Sequence, residues 1–434
     1  MTAPLFRSLS VRNYRIFAGG QAISLTGTWM QRLAQDWLVL RLSHGSGTAV
    51  GITTGLQFLP TLLFGLYGGV LADRYPKRTL LLCAQTGMGL TALVLGLLDV
   101  TGVVALWQVY ALAFLLGLAS VLDAPVRQAF VPELVGPALV PNAVSLNSAI
   151  FNSARIVGPT IAGAVISLWG TGPAFLANAA SYLAVIGGLV LLRSGELHPA
   201  RLEQPEPGQL RAGLRYVRAR PDLLVPIALV GIVGTFGLNF QITMALIATQ
   251  VFGRGASAYG LLSAGLAIGS LLGALFAAAR RKVRLRLVLG AALAFGLLEV
   301  LTGLMPTYWT FFALLIPTGA AALTMTTAAN AALQGRTSPQ MRGRVMALYI
   351  LVFLGGTPFG APVIGWLATE LGPRSSLLIG GTISALGAIG ATIVLARARR
   401  VTVIPHLIRR HPHVHVRSVP PKRRAAGYDH IAST

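Results

Sequence analysis

The sequence sets an arginine and an aspartate, Arg32 and Asp36, one helical turn apart inside a long apolar stretch near the N-terminus. On a helix that advances about 100° per residue, Gln21, Ser24, Thr28, Gln31, Arg32, Gln35 and Asp36 share an arc of about 140°, with Thr26, Trp29, Met30, Leu33 and Trp37 on the other side. A charge at the centre of a membrane helix costs at least about 2.5 kcal/mol even on lenient scales. The stripe therefore has to border water inside the molecule. Two roles fit the pair, whose spacing permits contact. Either Asp36 carries an exchangeable proton while Arg32 holds its carboxylate until a substrate or a helix shift disturbs them, or the pair is permanent and merely neutralising. Weaker polar faces recur in two later stretches, Thr235, Asn239, Thr243 and Gln250 in one, Thr324, Thr327, Asn330 and Gln334 in the other.

Enzyme chemistry finds little support. There is no G-x-x-x-x-G-K-[ST] phosphate loop, no H-E-x-x-H zinc site and no convincing Ser/His/Asp set. The only cysteine, Cys83, follows Leu80, Leu81 and Leu82 and reads as a buried, inert thiol. In the C-terminal HPHVHV run, His411, His413 and His415 alternate as ligands on a strand do, but without an acidic or Cys partner they read as part of a disordered basic tail near anionic lipid. No metal, cofactor or catalytic residue is expected.

The elements that must hold the stripe follow from composition. Of 434 residues, 54% are hydrophobic and 11% charged, and the mean hydropathy is +0.70, whereas a soluble globular protein is roughly 25% charged. Twelve stretches are long and apolar enough for a bilayer core: near 16–40, 50–71, 79–98, 106–122, 143–169 and 175–192, then 223–247, 258–278, 287–305, 309–333, 345–368 and 377–396. The first is too long and too polar for a signal-peptide core. The net charge of +23 would suit a nucleic-acid binder, but thirty of the 35 basic residues fall on one side of this map. Only Arg41, Arg254 and Arg374 lie opposite, and Arg32 and Arg155 lie within spans. Basic residues are retained in cytoplasmic loops, so the charge is topogenic and both termini are placed in the cytoplasm.

Hydrophobicity falls over 193–222, dividing the chain into 1–192, a linker, 223–396 and a tail at 397–434. Within the linker, Leu210, Leu214 and Val217 at helical spacing beside Arg211, Arg215 and Arg218 describe either an amphipathic helix on the membrane surface or a plain solvated connector. The two halves repeat. Residues 47–78 lie over 256–286 at an offset of 209 that pairs Gly51 with Gly260, and 157–173 resembles 356–373 with Pro159 near Pro358. Duplicated membrane halves are typical of transporters that rock about a midplane site.

Between the second and third stretches stands GGVLADRYPKR. It resembles the major facilitator superfamily motif G-x-L-A-D-R-x-G-R-K at Gly69, Leu71, Ala72, Asp73, Arg74, Lys77 and Arg78, with Pro76 where glycine is usual. The resemblance implies a carboxylate facing a helix N-terminus of the other half and bases that clamp a cytoplasmic gate; the alternative is a turn whose charges only set topology. The repeat places Lys282 opposite Asp73, which makes the latch one-sided. In the fifth stretch Gly158, Pro159 and Gly163 resemble the G-P-x-x-x-G element of family exporters, where small residues allow close helix approach, and Arg155 joins them in an exporter-like span-five motif; ordinary Gly/Pro packing is the other reading. With GTWMQRLAQDWLVLRL, GLRYVRARP and RGRVMAL, residues 7 to 396 resemble the bacterial exporter branch that holds enterobactin exporters and macrolide-efflux-like proteins.

That resemblance implies an all-α membrane protein of twelve transmembrane helices in two pseudo-symmetric six-helix bundles, lying as a monomer in the bacterial inner membrane. Spans one, five, seven and ten would line its cavity, with Gln21, Ser24, Thr28, Gln31, Gln35, Asn239, Thr243 and Asn330 facing a small-molecule substrate. Asp123, Arg127 and Glu133 read as a second cytoplasmic charge group coupled to Arg342 and Arg344, or as a solvated loop. Glu299 falls on a helix that the resemblance makes peripheral, so a role in packing or at the membrane interface is expected. The function expected is proton-coupled efflux of drug-like compounds, siderophores or other secondary metabolites by alternating access. A nutrient importer or lipid flippase shares the fold, and a non-transporting receptor or scaffold is the remaining class. Protons and membrane lipids complete the expected partners, and nucleic acid is excluded.

Overall fold

The computed structural model describes residues 4–198, 209–280 and 284–398, together with the strand backbones 401–406 and 413–418. The first half contains α1 (Arg12–Leu42), α2 (Gly47–Arg74), α3 (Lys77–Val100), α4 (Leu106–Val135), α5 (Val140–Trp169) and α6 (Thr171–Val190). The linker carries α7 (Gln209–Arg218). The second half has a broken span of α8 (Pro221–Ile232) and α9 (Phe240–Leu246), then α10 (Ala256–Ala278), α11 (Leu285–Gly303) and α12 (Tyr308–Arg336). A second broken span, α13 (Pro339–Gly355) and α14 (Thr357–Glu370), leads into α15 (Pro373–Ala398). Among the described residues, eleven spans are long and apolar enough to cross a membrane. The twelfth is α1, which falls short on hydropathy because of its polar stripe, yet runs the length of α6 with Tyr14, Phe17, Leu38 and Val39 buried.

Turn chemistry fixes the connections. Ser46 caps α2 by accepting from the Ala49 N–H at 3.2 Å, and Gly170, the single residue between α5 and α6, turns the chain at φ 85°, a conformation that disfavours a side chain. Three sequence expectations need correction. The fourth span continues to Val135, so Asp123, Arg127 and Glu133 lie on a helix and not in a loop. Cys83 faces outward from α3 and is not buried. In the tail, Val401–His406 and His413–Ser418 pair as antiparallel strands, with Ile404 opposite His415, where an unstructured segment is expected; His411 lies outside the described residues. The linker helix forms, but its packing is on protein: Val217 is buried and Gly213 lies close against Arg344 at the start of α13. The side chains of Leu210 and Arg211 lie outside the described residues.

Within the first half α1 packs on α5 and α6, α2 on α4, and α3 on α4 and α6. In the second, α10 packs on α12, and α11 on α12 and α15. Two helix pairs make most of the contact between the halves, α2 with α14 and α5 with α10, and the internal repeat explains both. A Cβ at Gly51 would collide with the Ala361 carbonyl oxygen, and one at Gly260 would fall 2.5 Å from that of Pro159. The two glycines that the repeat superimposes thus make equivalent backbone contacts on opposite sides of the seam.

We call the face where α1 begins and α15 ends the terminal face, and the opposite one distal. Near the distal face Thr48 N donates to Thr369 Oγ1 at 3.0 Å, Ser167 and Ser257 hydroxyls meet at 2.7 Å, and Gln250 Nε2 donates to the Gly45 carbonyl at 2.7 Å. This belt closes the distal side. In a Cys83→Ser background, the Ser167→Cys/Ser257→Cys pair should crosslink nearly completely with a mild oxidant. Adding Gly260→Val should cut the yield severalfold, because the new side chain strikes backbone that cannot rotate away; an unchanged yield would show that the contact is not tight.

Candidate functional site

A cavity of about 600 Å³ lies between the halves on the terminal side of the belt. Gln21, Ser24, Thr28, Gln31, Arg32 and Gln35 all line it, and neighbouring spans supply their partners. Asn178 Nδ2 donates to Gln31 Oε1 at 2.5 Å, Gln35 Nε2 to Gln57 Oε1 at 3.2 Å, and the Thr28 hydroxyl lies 3.2 Å from that of Tyr182. Gln21 Nε2 is buried without a partner. Trp29, assigned to the apolar side of the stripe, also lines the cavity. It sits only about 100° from Thr28, at the edge of the arc, and its ring carries Arg32.

Asp36 is buried at the closed end, just beyond the cavity lining, with 5% of its surface exposed. Arg32 and Asp36 form no ion pair within 4.0 Å, which corrects the expected contact. Instead the Tyr259 hydroxyl, reaching from α10 across the seam, donates to Asp36 Oδ2 at 2.8 Å. The Arg32 guanidinium lies 4.7 Å from the Trp29 ring centroid and 5.9 Å from that of Phe58. Helical spacing allows the pair, but a ring face beside a polar cavity solvates the guanidinium, while a hydroxyl from the other half satisfies the deeper carboxylate. The sequence reading missed Tyr259. The available signal is the repeat itself, which sets Tyr259 against Val50, a hydroxylated ring against an aliphatic side chain.

The second half contributes through its broken spans. A π turn at Val233–Gly237 interrupts the seventh span, and Asn239, lining the cavity at this break, donates to the Thr235 carbonyl at 2.8 Å. Gly356 and Gly360, where the eleventh span breaks, fit directly against Thr235. Irregular backbone at membrane depth is tolerated where protein or a cavity satisfies it. Thr243 does not line the cavity: it is buried behind the wall, accepting from the Ser376 hydroxyl at 3.2 Å. Asn330 lines an adjoining hollow with Thr326 and Phe353, residues shared with the main cavity, and accepts from Gln334 at 2.5 Å. Glu299 is 1% exposed against Gly237 and Gly380, which rules out the membrane interface, and its Oε2 is buried without a hydrogen-bond partner.

The gate motif is divided by the fold. Lys77 Nζ meets Glu133 Oε1 of α4 at 2.7 Å in a buried pair. Arg78 donates to the Val190 carbonyl at 3.0 Å and to Ser194 Oγ at 2.8 Å, Arg74 is exposed, and Gly69 has open space around its Cα. These contacts of Lys77 and Arg78 stay on the first half and the linker's first residues, so among the described residues the two bases do not clamp one half to the other in this conformation. The Asp73 side chain and Lys282 lie outside the described residues. Asp123 pairs with Arg127 at 3.3 Å, accepts from Gln85 at 2.6 Å and lines the cavity. In α5, Gly158 admits Trp29, whose Cβ would be 2.6 Å from an added Cβ, and Gly163 admits the α10 backbone at Ala256 and Ser257, 2.9 Å away on the same measure. The G-P-x-x-x-G element therefore lets α5 touch α1 and α10 at once. Arg155 lies 5.7 Å from the Trp29 ring centroid.

Breaking a buried ion pair by removing one partner costs about 3–5 kcal/mol. Lys77→Met should lower the melting temperature of the purified protein by several degrees, whereas Lys77→Arg, which keeps the charge, should lower it less. A Lys77→Met protein as stable as its parent would show that the pair contributes little.

Comparison with known proteins agrees with this architecture. The chain is similar to the enterobactin exporter EntS of Escherichia coli, 26% identical over 419 residues that cover 93% of this chain and 95% of that protein. It is similar also to the staphyloferrin A transporter of Staphylococcus aureus, 28% identical over 40% of this chain and 43% of that protein. An uncharacterized MFS-type transporter of Bacillus subtilis, YfiS, is 29% identical over 58% of this chain and 60% of its own length. Among solved structures, a bacterial homologue of the human lysosomal transporter Spinster, inward-facing and occupied, superimposes with a TM-score of 0.70 at 16% identity, covering 89% of this chain and 97% of that one. The family model described as transmembrane secretion effector matches residues 3–419. The chain is thus a multi-pass membrane protein of the transmembrane secretion effector family, a transporter of the major facilitator type and not an enzyme.

Proposed function

We propose that the protein exports amphipathic organic molecules from the bacterial cytoplasm in exchange for protons, by alternating access, with both termini cytoplasmic. The observation that carries this reading is the hydrogen bond from Tyr259 to Asp36 across the seam. A hydrogen bond to a charged group contributes about 1.5–3 kcal/mol, so an ionised Asp36 held by Tyr259 helps keep the distal belt closed. Opening that belt parts α10 from α1 and leaves the carboxylate without its donor. Uptake of a proton from the newly exposed side removes the charge, and release of that proton on re-closure renews the bond. A substrate that enters from the terminal side drives opening, and the proton drives return.

The sidedness rests on the thirty basic residues assigned to the terminal face. The amphipathic cargo rests on a cavity wall that mixes amides and hydroxyls with Phe58, Met88, Leu116 and Phe353. A siderophore is one cargo of this kind, as the names of two relatives indicate. In proteoliposomes with an imposed pH gradient, Asp36→Asn should abolish proton-driven flux while leaving downhill exchange of cargo measurable. Tyr259→Phe should reduce proton-driven flux about tenfold, the equivalent of about 1.4 kcal/mol. Undiminished proton-driven flux in Asp36→Asn would end the coupling assignment.

A further inference from the structure

The charged residues lining the cavity are Arg32, Asp123, Arg127 and Arg155. Asp123 and Arg127 pair at 3.3 Å on successive turns of α4, and Asp36, outside the lining, is taken by Tyr259. Among the described residues, Arg32 and Arg155 have no carboxylate within 4.0 Å. Both guanidinium carbons lie within 6 Å of the same Trp29 ring centroid, and Arg32 Nε is buried with no hydrogen-bond partner. The ring they share is held in place, because Phe151 meets it edge-on at 5.8 Å and Gly158 closes on the Trp29 Cβ.

Two like charges brought together at membrane depth repel each other and lose hydration, and a ring face offsets only part of that cost. The missing partner is an anion. Guanidinium forks match carboxylate or other paired-oxygen groups bidentately, and both forks are within reach of one small molecule. We infer that this cavity is an organic-anion site: Arg32 and Arg155, organised by Trp29, receive one or two oxyanion groups of a ligand whose apolar or aromatic body rests against Phe58, Met88 and Leu116. This deepens the transport reading and rests on it only for the claim that the bound anion is the cargo.

Binding to the purified full-length protein tests the site without any flux measurement. The probes are naphthalene-2,6-dicarboxylate, its neutral dimethyl ester and the cation tetraphenylphosphonium, read by equilibrium dialysis. The dicarboxylate should bind at least tenfold more tightly than the ester, and the cation should not compete with it. Arg32→Gln and Arg155→Gln should each weaken the dicarboxylate at least tenfold and bring its affinity toward that of the ester, whereas Arg155→Lys, which keeps charge but loses the fork, should fall between. If the glutamine variants do not fold, the order of the three probes on the unaltered protein still decides. An ester or cation bound as tightly as the dicarboxylate, a dicarboxylate that does not bind, or one indifferent to both substitutions overturns the inference. Proton-driven flux of tetraphenylphosphonium without dicarboxylate binding would leave the transport reading standing and remove this one; dicarboxylate binding with no flux of it in vesicles would do the reverse.

Discussion

The middle of α1, with Asp36, Arg32 and three glutamines, has to lie where hydrocarbon would surround it, and hydrocarbon solvates none of these groups. The remaining architecture answers that constraint. α5 and α6 pack along α1, with α6 also meeting the polar stripe at Thr28 and Gln31, and the second half faces the stripe across a cavity. Partners for the stripe come from elsewhere in the chain, including Asn178 for Gln31, Gln57 for Gln35 and Tyr259 for Asp36. Only the last of these crosses the seam, and that makes it sensitive to relative movement of the halves.

The alternating access proposed here would require a seam that is tight when closed yet free to part. Backbone contact through glycine supplies the close approach, because Gly51 of α2 lies against the α14 backbone and Gly260 of α10 against that of α5. The hydrogen bonds beside them are between small hydroxyls and amides. By contrast, the buried Lys77–Glu133 pair lies within one half. The broken seventh and eleventh spans bring irregular backbone together at Thr235, Gly356 and Gly360 beside the cavity, where a change in helix direction costs less than inside a continuous helix.

Much of this was legible in the residue order. Span number, the duplication and the polar stripe are one-dimensional patterns, each set by bilayer thickness, by repetition or by the helical period. The G-P-x-x-x-G element proved to be a point of close approach because small residues have that property wherever the neighbouring helix comes from. The gate motif was legible as a pattern but not as a set of contacts. Lys77 and Arg78 find Glu133, Ser194 and the Val190 carbonyl, partners distant in sequence that no local rule selects. The end of the fourth span was misplaced because Asp123, Arg127 and Glu133 look like loop residues until Gln85 and Lys77 are seen to satisfy two of them.

Sequence by itself determined that the chain crosses a membrane repeatedly, in two related halves, with one helix too polar for lipid. Periodicity and transfer free energy act along a single helix and need no knowledge of its neighbours. Tertiary structure alone decided which polar groups meet. It separated Arg32 from Asp36, gave the carboxylate to Tyr259, drew Trp29 from the apolar face into the cavity wall and moved Thr243 behind it. Those outcomes depend on which helix face lies opposite, and that is set only when distant spans pack together.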